Sequence, residues 1–292
     1  MKSIRQRQHK VSVGGFGGVL PPGSSVRDVV GAMPRFLAAD GLRRLAEAIR
    51  AARDAGAPVV IAMGGHVVKT GCSPYIIDLM NRGVVTHVAM NGAAAIHDAE
   101  IATHGETSED VEDTLGRGDF GMVSETMELF DAAARASEPW GSGLGEGLSR
   151  ELERRNAPHA EHSLLCAAEP GLATVHAAIG ADTVHLSPDL DGAALGKALL
   201  ADFRAACGVV SRLAAGVWVN LGSATLLPEV FLKAVSAAIR GGADLGGMTT
   251  ADMDMIRHYR PTQNVVRRPP GRGIQLTGHH EVMVPILHQL LI

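Results

Sequence analysis

The chain has 292 residues and a formal net charge of −4, with 46% apolar and 20% charged residues. These values are typical of a globular protein with an ample core, and they exclude the general attraction of a basic protein to nucleic acid or anionic membranes. The three scattered cysteines, Cys72, Cys166 and Cys207, form neither a zinc-binding pair nor a disulfide framework. We find no signal peptide and no apolar membrane span in the sequence, and we expect a cytoplasmic protein.

Apolar runs and glycine or proline signals divide the chain into alternating strands and helices. Residues 1–34 are loop-rich and form an N-terminal extension. Thr107-x-x-Asp110 predicts a capping box for the helix that ends near residue 116. We predict strands over 59–63, 84–90, 174–179 and 217–220. We predict helices over 36–55, from 73 to about 83, ending near 116, and over 122–136, 148–156, 193–213 and 229–240, and we expect the helix over 148–156 to be charged and exposed. Residues 141–147 are predicted to be flexible, residues 248–273 to be irregular and polar, and the end of the chain to be a short strand or helix.

The first two predicted strands indicate the fold class. The runs 59–63 and 84–90 carry no charge, which is typical of strands buried on both faces of a parallel sheet. A helix between them makes them parallel neighbours. We therefore predict a single α/β domain over 1–292, with a Rossmann-like parallel sheet sandwiched by helices. The loops after the strands then meet at the carboxyl edge of the sheet, where open α/β folds bind ligands.

Four loops that follow predicted strands combine glycine with polar side chains. Glycine lets a backbone NH approach a phosphate or ribose closely, so four such loops on one edge favour a nucleotide-like ligand. Neither GxGxxG nor GxxxxGK[ST] is complete, and each loop by itself is equally typical of a plain turn. The candidate cofactor-binding residues are Gly64, Gly65, His66, Lys69, Thr70, Gly71, Asn91, Gly92, Ala93, Asp191, Gly192, Asn220, Gly222 and Ser223.

His97, Asp98 and Glu100 form a dense polar cluster in an alanine-rich stretch. They are candidates for proton transfer or for anchoring an amine. The alternative is a helix start that favours acidic residues, with a histidine at the surface. The thirteen histidines raise the question of a metal, but no HExxH or CxxC spacing is present, and we assign no metal ligands.

Short segments in a shared order resemble the deoxyhypusine synthase family, whose fold is a Rossmann-like NAD-binding sandwich. The resemblance covers roughly residues 58–290. Residues 69–71 are similar to the family's serine-serine-glycine turn, and residues 92–100 to its Thr-Ala-Gly-Gly-Ile-Glu-Glu-Asp loop. Residues 190–197 are similar to its Thr-Asp-Gly-Ser-Leu-Gly-Asp stretch. Residues 249–251 and 260–261 are similar to its Asn-Thr-Ala and Arg-Pro segments, and residues 285–287 to its terminal Pro-Leu-Leu.

The chain departs from the family where the family's chemistry takes place. The family uses a lysine soon after its Arg-Pro, whereas residues 260–273 contain none. Arginine stays protonated and cannot form the imine that the reaction needs. The family's Gly-Gly-Gly-x-x-Lys-His-His loop corresponds to residues 222–228, which lack both Lys and His. We therefore expect the scaffold to persist without transfer of an aminobutyl group to a protein lysine.

The resemblance implies an NAD-binding enzyme that acts on a small, amine-containing substrate and assembles as a homo-oligomer, a tetramer in the family. In this interpretation, His97, Asp98 and Glu100 orient or deprotonate the substrate. Two alternatives stay open. One is a histidine- or metal-dependent hydrolase on the same scaffold, and the other is a non-catalytic ligand-binding or assembly protein. We expect no nucleic-acid partner and no membrane partner.

Overall fold

Residues 3–292 are described by the structure, a computed structural model, and they contain one six-stranded parallel sheet. The strands are β1 Val59–Met63, β2 His87–Asn91, β3 Ala173–His176, β4 Val217–Leu221, β5 Thr249–Asp254 and β6 Arg272–Thr277. Their order is β3-β2-β1-β4-β5-β6, and every neighbouring pair is parallel. The predicted Rossmann-like fold class and the pairing of the first two strands are thereby confirmed.

Helices connect the strands and pack on the sheet. Side chains of β1 and β4 alternate between two hydrophobic clusters, one on each face, with Ile61 and Val219 in the first and Val60 and Trp218 in the second. The helices are α1 Val26–Ala32, α2 Leu37–Asp54, α3 Gly65–Lys69, α4 Ser73–Asn81, α5 Gly92–His104, α6 Val111–Leu115, α7 Ser124–Ser137, α8 Leu144–Arg154, α9 Leu164–Ala167, α10 Gly192–Val210, α11 Leu226–Arg240, α12 Tyr259–Pro261 and α13 His280–Leu291.

Strand β5 and the first two residues of β6 lie in the stretch over 248–273 that we predicted to be irregular, so that prediction was wrong. The polar residues of β5 are buried because remote groups satisfy them. Thr250 donates to the Val265 carbonyl at 2.6 Å, and Asp252 accepts from Asn220 and Gln275. A polar strand of this kind has no charge-free run in the sequence to reveal it.

Two helix predictions also differ from the structure. Helix α8 begins at Leu144, inside the segment over 141–147 that we predicted to be flexible, and not at residue 148. The helix was predicted to be exposed, but its Leu144, Leu148 and Leu152 are fully buried. Leucines four residues apart form one apolar face, which the charged residues between them obscured. The predicted capping box is absent, because the Asp110 side chain itself accepts from the first backbone NH groups of α6. Thr107 has a different role, described below.

Two arginines and the packing of α1 on α13 attach the N-terminal extension to the body of the protein. Arg27 of α1 donates to the carbonyl oxygen of Ile292 at 3.0 Å. Arg43 of α2 donates to the carbonyl oxygens of Val30 at 2.9 Å and Met33 at 2.6 Å. Within residues 3–292, no helix is long and apolar enough to cross a membrane.

Candidate functional site

A cavity of about 630 Å³ adjoins the segments that follow β1, β2 and β3. One wall is a face of α5, and the facing wall is the segment from Glu106 to Thr126. Residues three and four apart on a helix share a face, so α5 residues at that spacing line the cavity. The α5 residues on this wall are Ala93, Ile96, His97, Glu100 and His104.

His97, Glu100, Thr107 and Thr126 form a chain of hydrogen bonds in this cavity. The Thr107 hydroxyl donates to Glu100 Oε2 at 2.5 Å and lies 2.7 Å from His97 Nδ1. The Thr126 hydroxyl donates to the other carboxylate oxygen, Oε1, at 3.0 Å. The distance from His97 Nδ1 to Glu100 Oε2 is 3.8 Å. Both oxygens of the Glu100 carboxylate are therefore fixed in place.

The charge state of Glu100 follows from these contacts. Burial raises the pKa of the Glu100 carboxyl, but the interactions with His97, Thr107 and Thr126 outweigh it and hold the pKa below its usual value. The carboxyl group is consequently ionised at neutral pH.

Carboxylates outnumber cations on the walls of the cavity. A negative lining of this kind attracts cationic ligands and repels anions. The acidic residues are Glu100, Glu106, Glu109, Glu125 and Asp182, and the basic ones are Lys69, His97 and His104.

Asp98 does not face the cavity with His97 and Glu100. It is fully buried, and its carboxylate accepts from Ser163 Oγ at 2.6 Å, Leu164 N at 2.8 Å and Leu165 N at 3.1 Å. Burial raises its pKa to about 6 despite these bonds. A helix turns about 100° per residue, so position 98 points away from 97 and 100. The structure thus gives Asp98 the role of holding α9 against α5.

The glycines at the ends of β1 and β4 pack against protein, not against an open crevice. A Cβ on Gly64 would lie 2.2 Å from the carbonyl oxygen of Gly222, and one on Gly65 would lie 2.9 Å from the His97 ring. Gly64 N also donates to Leu221 O at 3.0 Å. These glycines allow two loops to touch at the point between β1 and β4 where the strand order reverses. Their predicted approach to a phosphate or ribose stays a prediction.

The remaining candidates after β1 differ from one another in their surroundings. Lys69 lies on the cavity wall. His66 is exposed, and its ring lies 5.6 Å from that of His280. Thr70 donates to the His66 carbonyl at 2.9 Å. Gly71 has a φ of +73°, and an added Cβ would meet no described atom within 4 Å.

The loop after β2 forms the start of α5. Asn91 is the N-cap, and its side chain accepts from Ala94 N at 2.8 Å. A Cβ on Gly92 would lie 2.2 Å from the Asp182 carboxylate, which also accepts from Ala178 N at 2.9 Å. A protein carboxylate therefore already faces the positive end of α5. Burial raises the pKa of Asp182.

Asp191 and Gly192 lie outside the cavity lining. The Asp191 side chain caps α10 by accepting from Ala193 N and Ala194 N, both at 3.0 Å. It also pairs with Arg135 at 2.9 Å. Gly192 is the first residue of α10. The structure does not bring these two residues together with the His97 cluster.

Polar residues at the end of β4 form a buried network with β5, on the other side of the point where the strand order reverses. Asn220 donates to Asp252 Oδ1 at 2.8 Å and to Ser223 O at 3.0 Å, and the Ser223 hydroxyl accepts from Leu227 N at 3.3 Å. Asn220 Oδ1 has no partner among the described residues. Burial raises the pKa of Asp252. Asn220 and Ser223 thus hold the end of β4 in place.

Sequence reasoning missed several polar residues of these regions. Thr107 and Thr126 were not candidates, because their contacts with Glu100 bridge 7 and 26 positions. His280 also went unassigned. It is 1% exposed, 3.9 Å from Asp254 Oδ1, and packed where a Cβ on Gly222 would fall. No signal in the sequence pairs these residues. Within residues 3–292, no three His, Cys, Asp or Glu side chains are grouped closely enough to hold a metal ion.

Comparisons with known proteins give similarity at the level of the fold. No protein-family model and no curated protein sequence matches the chain. A conserved putative LOR/SDH protein from Methanococcus maripaludis S2 superposes with a TM-score of 0.56 at 15% identity, over 94% of this chain and 74% of that one. Unliganded AgrE gives a TM-score of 0.51 at 17% identity over 93% of this chain, which spans only 33% of AgrE.

One further solved structure bears on the family resemblance. A putative deoxyhypusine synthase from Entamoeba histolytica superposes with a TM-score of 0.50 at 9% identity, over 92% of this chain and 93% of that one. The two chains are therefore alike along nearly their whole lengths, although few residues are shared. Residues 3–292 have a Rossmann-like α/β fold of the kind seen in the deoxyhypusine synthase-like and LOR/SDH-like proteins.

Proposed function

We propose that this protein is an enzyme that binds NAD and acts on a small, amine-containing substrate. The observation that carries the proposal is the acid-lined cavity, in which His97 and Glu100 face the substrate space. An ammonium group compensates the excess of carboxylates on the walls, while a neutral or anionic substrate does not. His97 and Glu100 orient or deprotonate the amine, and Asp98 contributes only through the packing of α5.

NAD enters the proposal through the family resemblance and the shared fold. Of the predicted cofactor residues, Lys69 and Gly71 suit a dinucleotide best. The cavity wall otherwise repels anions, and Lys69 is its one lysine or arginine, so Lys69 supplies the positive charge that a pyrophosphate needs. Gly71 leaves the adjoining backbone uncovered. The closed contact between Gly64 and Gly222 argues for a site beside the cavity instead of the crevice between β1 and β4. When bound, NAD would supply a hydride acceptor, and Lys69 and Gly71 would hold it.

A calorimetric titration with NAD tests the cofactor. Wild type and Lys197→Ala should bind NAD saturably, whereas Lys69→Ala should bind it at least tenfold more weakly. Lys197 pairs with Glu138 at the surface, so its loss changes the charge equally without touching the cavity. Absence of NAD binding by the wild type, after removal of any resident ligand, would contradict this part of the proposal.

Thermal shifts with small ligands test the substrate class. Putrescine and spermidine should raise the melting temperature, while 1,4-butanediol and succinate should not. Glu100→Gln should reduce the effect of the amines, and Glu128→Gln, at an exposed position on α7, should leave it unchanged. Equal shifts with the diol would argue for a cavity that does not recognise amines.

We also propose a homo-oligomer, a tetramer by the family resemblance. Native mass spectrometry of the purified protein measures the subunit count and detects any dinucleotide that copurifies. A monomer without bound nucleotide would favour the non-catalytic alternative.

A further inference from the structure

The hydrogen-bond chain of His97, Thr107 and Glu100 has only one consistent arrangement of protons. An ionised carboxylate accepts hydrogen bonds and cannot donate them. The single proton of the Thr107 hydroxyl is therefore directed at Glu100 Oε2, 2.5 Å away. Because that proton is committed, the Thr107 oxygen can only accept from His97 Nδ1, 2.7 Å away. His97 Nδ1 must then carry the ring proton.

The second threonine makes this arrangement more secure. Thr126 donates to Glu100 Oε1 at 3.0 Å, so both carboxylate oxygens accept from hydroxyl groups. Two hydroxyl donors favour the ionised form, because protonation of one Glu100 oxygen weakens that oxygen as an acceptor. The side chains of His97 and Glu100 are each 18% exposed, which limits the competition from water for the same positions.

We infer that His97 is the proton-accepting base of the cavity, that it acts through Nε2, and that Thr107 is the positioning residue which fixes its tautomer. In a neutral imidazole with the proton on Nδ1, the lone pair lies on Nε2. Thr107 thus connects the histidine to a carboxylate, in the way that a directly bonded aspartate orients the histidine of a hydrolase triad. Thr126 holds the carboxylate in place.

The step that this base performs rests on the proposed amine substrate. His97 Nε2 takes a proton from the bound ammonium group, so that an N–H bond of the substrate breaks and its electron pair remains on nitrogen. A new bond forms between that proton and Nε2. The imidazolium charge is then offset by the Glu100 carboxylate, whose Oε2 lies 3.8 Å from Nδ1. No oxidant or co-reactant takes part in this step.

The tautomer of His97 can be measured without any ligand. Long-range proton–nitrogen NMR spectra of protein labelled with ¹⁵N-histidine, recorded at pH 8, distinguish the protonated from the bare ring nitrogen. The His97 signals are assigned by their loss in His97→Gln. Wild type should show a proton on Nδ1 and a bare Nε2. Thr107→Val should move the proton to Nε2 in most molecules. Thr107→Ser, which keeps the hydroxyl group, should show the wild-type pattern.

Thr114→Val is the matched control, because Thr114 lies in the same segment and donates only to the Asp110 carbonyl. It should leave the His97 signals unchanged. If Thr107→Val does not fold, the spectra of wild type and Thr107→Ser still show which ring nitrogen of His97 carries the proton. A proton on Nε2 in the wild type, or two protonated nitrogens at pH 8, would overturn the inference.

The outcome is independent of the ligand-binding tests. If amines fail to bind while the Nδ1 tautomer is found, the hydrogen-bond chain stands and the substrate class falls. If amines bind but the tautomer is reversed, the substrate class stands and Nε2 is not the base.

Discussion

Asp202 of α10 provides a direct test of how buried carboxylates govern the stability of this fold. It is 2% exposed and holds the start of α8 and strand β3 together, because its Oδ2 accepts from Gly145 N at 3.0 Å and Val175 N at 2.9 Å. Burial raises its pKa to about 7, more than the backbone hydrogen bonds lower it. The folded protein therefore favours the protonated form of Asp202.

The sign of the effect on stability follows from this shift. The stabilisation is fully present below the ordinary carboxyl pKa, near 4, and is lost as the pH rises through about 7. A shift of about three pKa units corresponds to roughly 4 kcal/mol of unfolding free energy between these limits. Asp202→Asn removes the titrating proton and keeps an oxygen that can accept both backbone NH groups, so its stability should depend less on pH.

Urea denaturation of wild type and Asp202→Asn at a series of pH values from 4 to 8.5 measures this difference. Comparing the two proteins cancels the other titrating groups, including Asp98. At pH 8 the variant should be as stable as wild type or more stable. Asp202→Ala, which leaves two buried NH groups without an acceptor, should be less stable than either by about 2 to 4 kcal/mol. Parallel pH profiles for wild type and Asp202→Asn would refute the reasoning.

Three further outcomes are expected. Gly222→Ala should lower the unfolding free energy by about 2 kcal/mol or more, since its Cβ would lie 2.7 Å from the His280 ring at a φ of +67°. Gly242→Ala, where φ is +93° and the added Cβ meets open space, should lower the unfolding free energy less, and equal losses would argue against the collision with His280. Leu37→Gly should raise stability by about 1 kcal/mol, because Leu37 is 91% exposed with a φ of +47°; a lower melting temperature would contradict this. With spermidine, NAD and a peptide lysine as acceptor, mass spectrometry should detect no aminobutyl product, because residues 260–273 contain no lysine for the imine.

The parts of the fold that the sequence predicts are those with local signals. Strand β1 matches its charge-free run from Val59 to Met63, and α10 begins within one residue of its predicted start. Strand β5 carries Asp252 and Asp254, and its burial depends on partners far away in the chain. A pattern of single residues does not contain that pairing, so hydrophobic periodicity fails there.

The candidate site shows the same division. The spacing of His97 and Glu100 on a helix predicts that they share a face, and the structure places both at the cavity. The same spacing separates Asp98 from them, because successive residues of a helix lie about 100° apart around its axis. Thr107 was interpreted as a cap for the following helix, whereas its hydroxyl faces back to α5. A hydroxyl has many competing partners in a loop, and only the tertiary structure selects among them.

The glycines illustrate why residue type alone does not locate a nucleotide site. Four of the predicted cofactor residues, Gly64, Gly65, Gly92 and Gly222, lie where a Cβ would collide with protein atoms. Close approach of backbone to a ligand and close approach of backbone to backbone both require glycine, so the residue type alone cannot separate them. What separates them is the empty space beside the residue. By that criterion the cavity beside Lys69 and His97, and not the contact between Gly64 and Gly222, is where a ligand of this protein has room to bind.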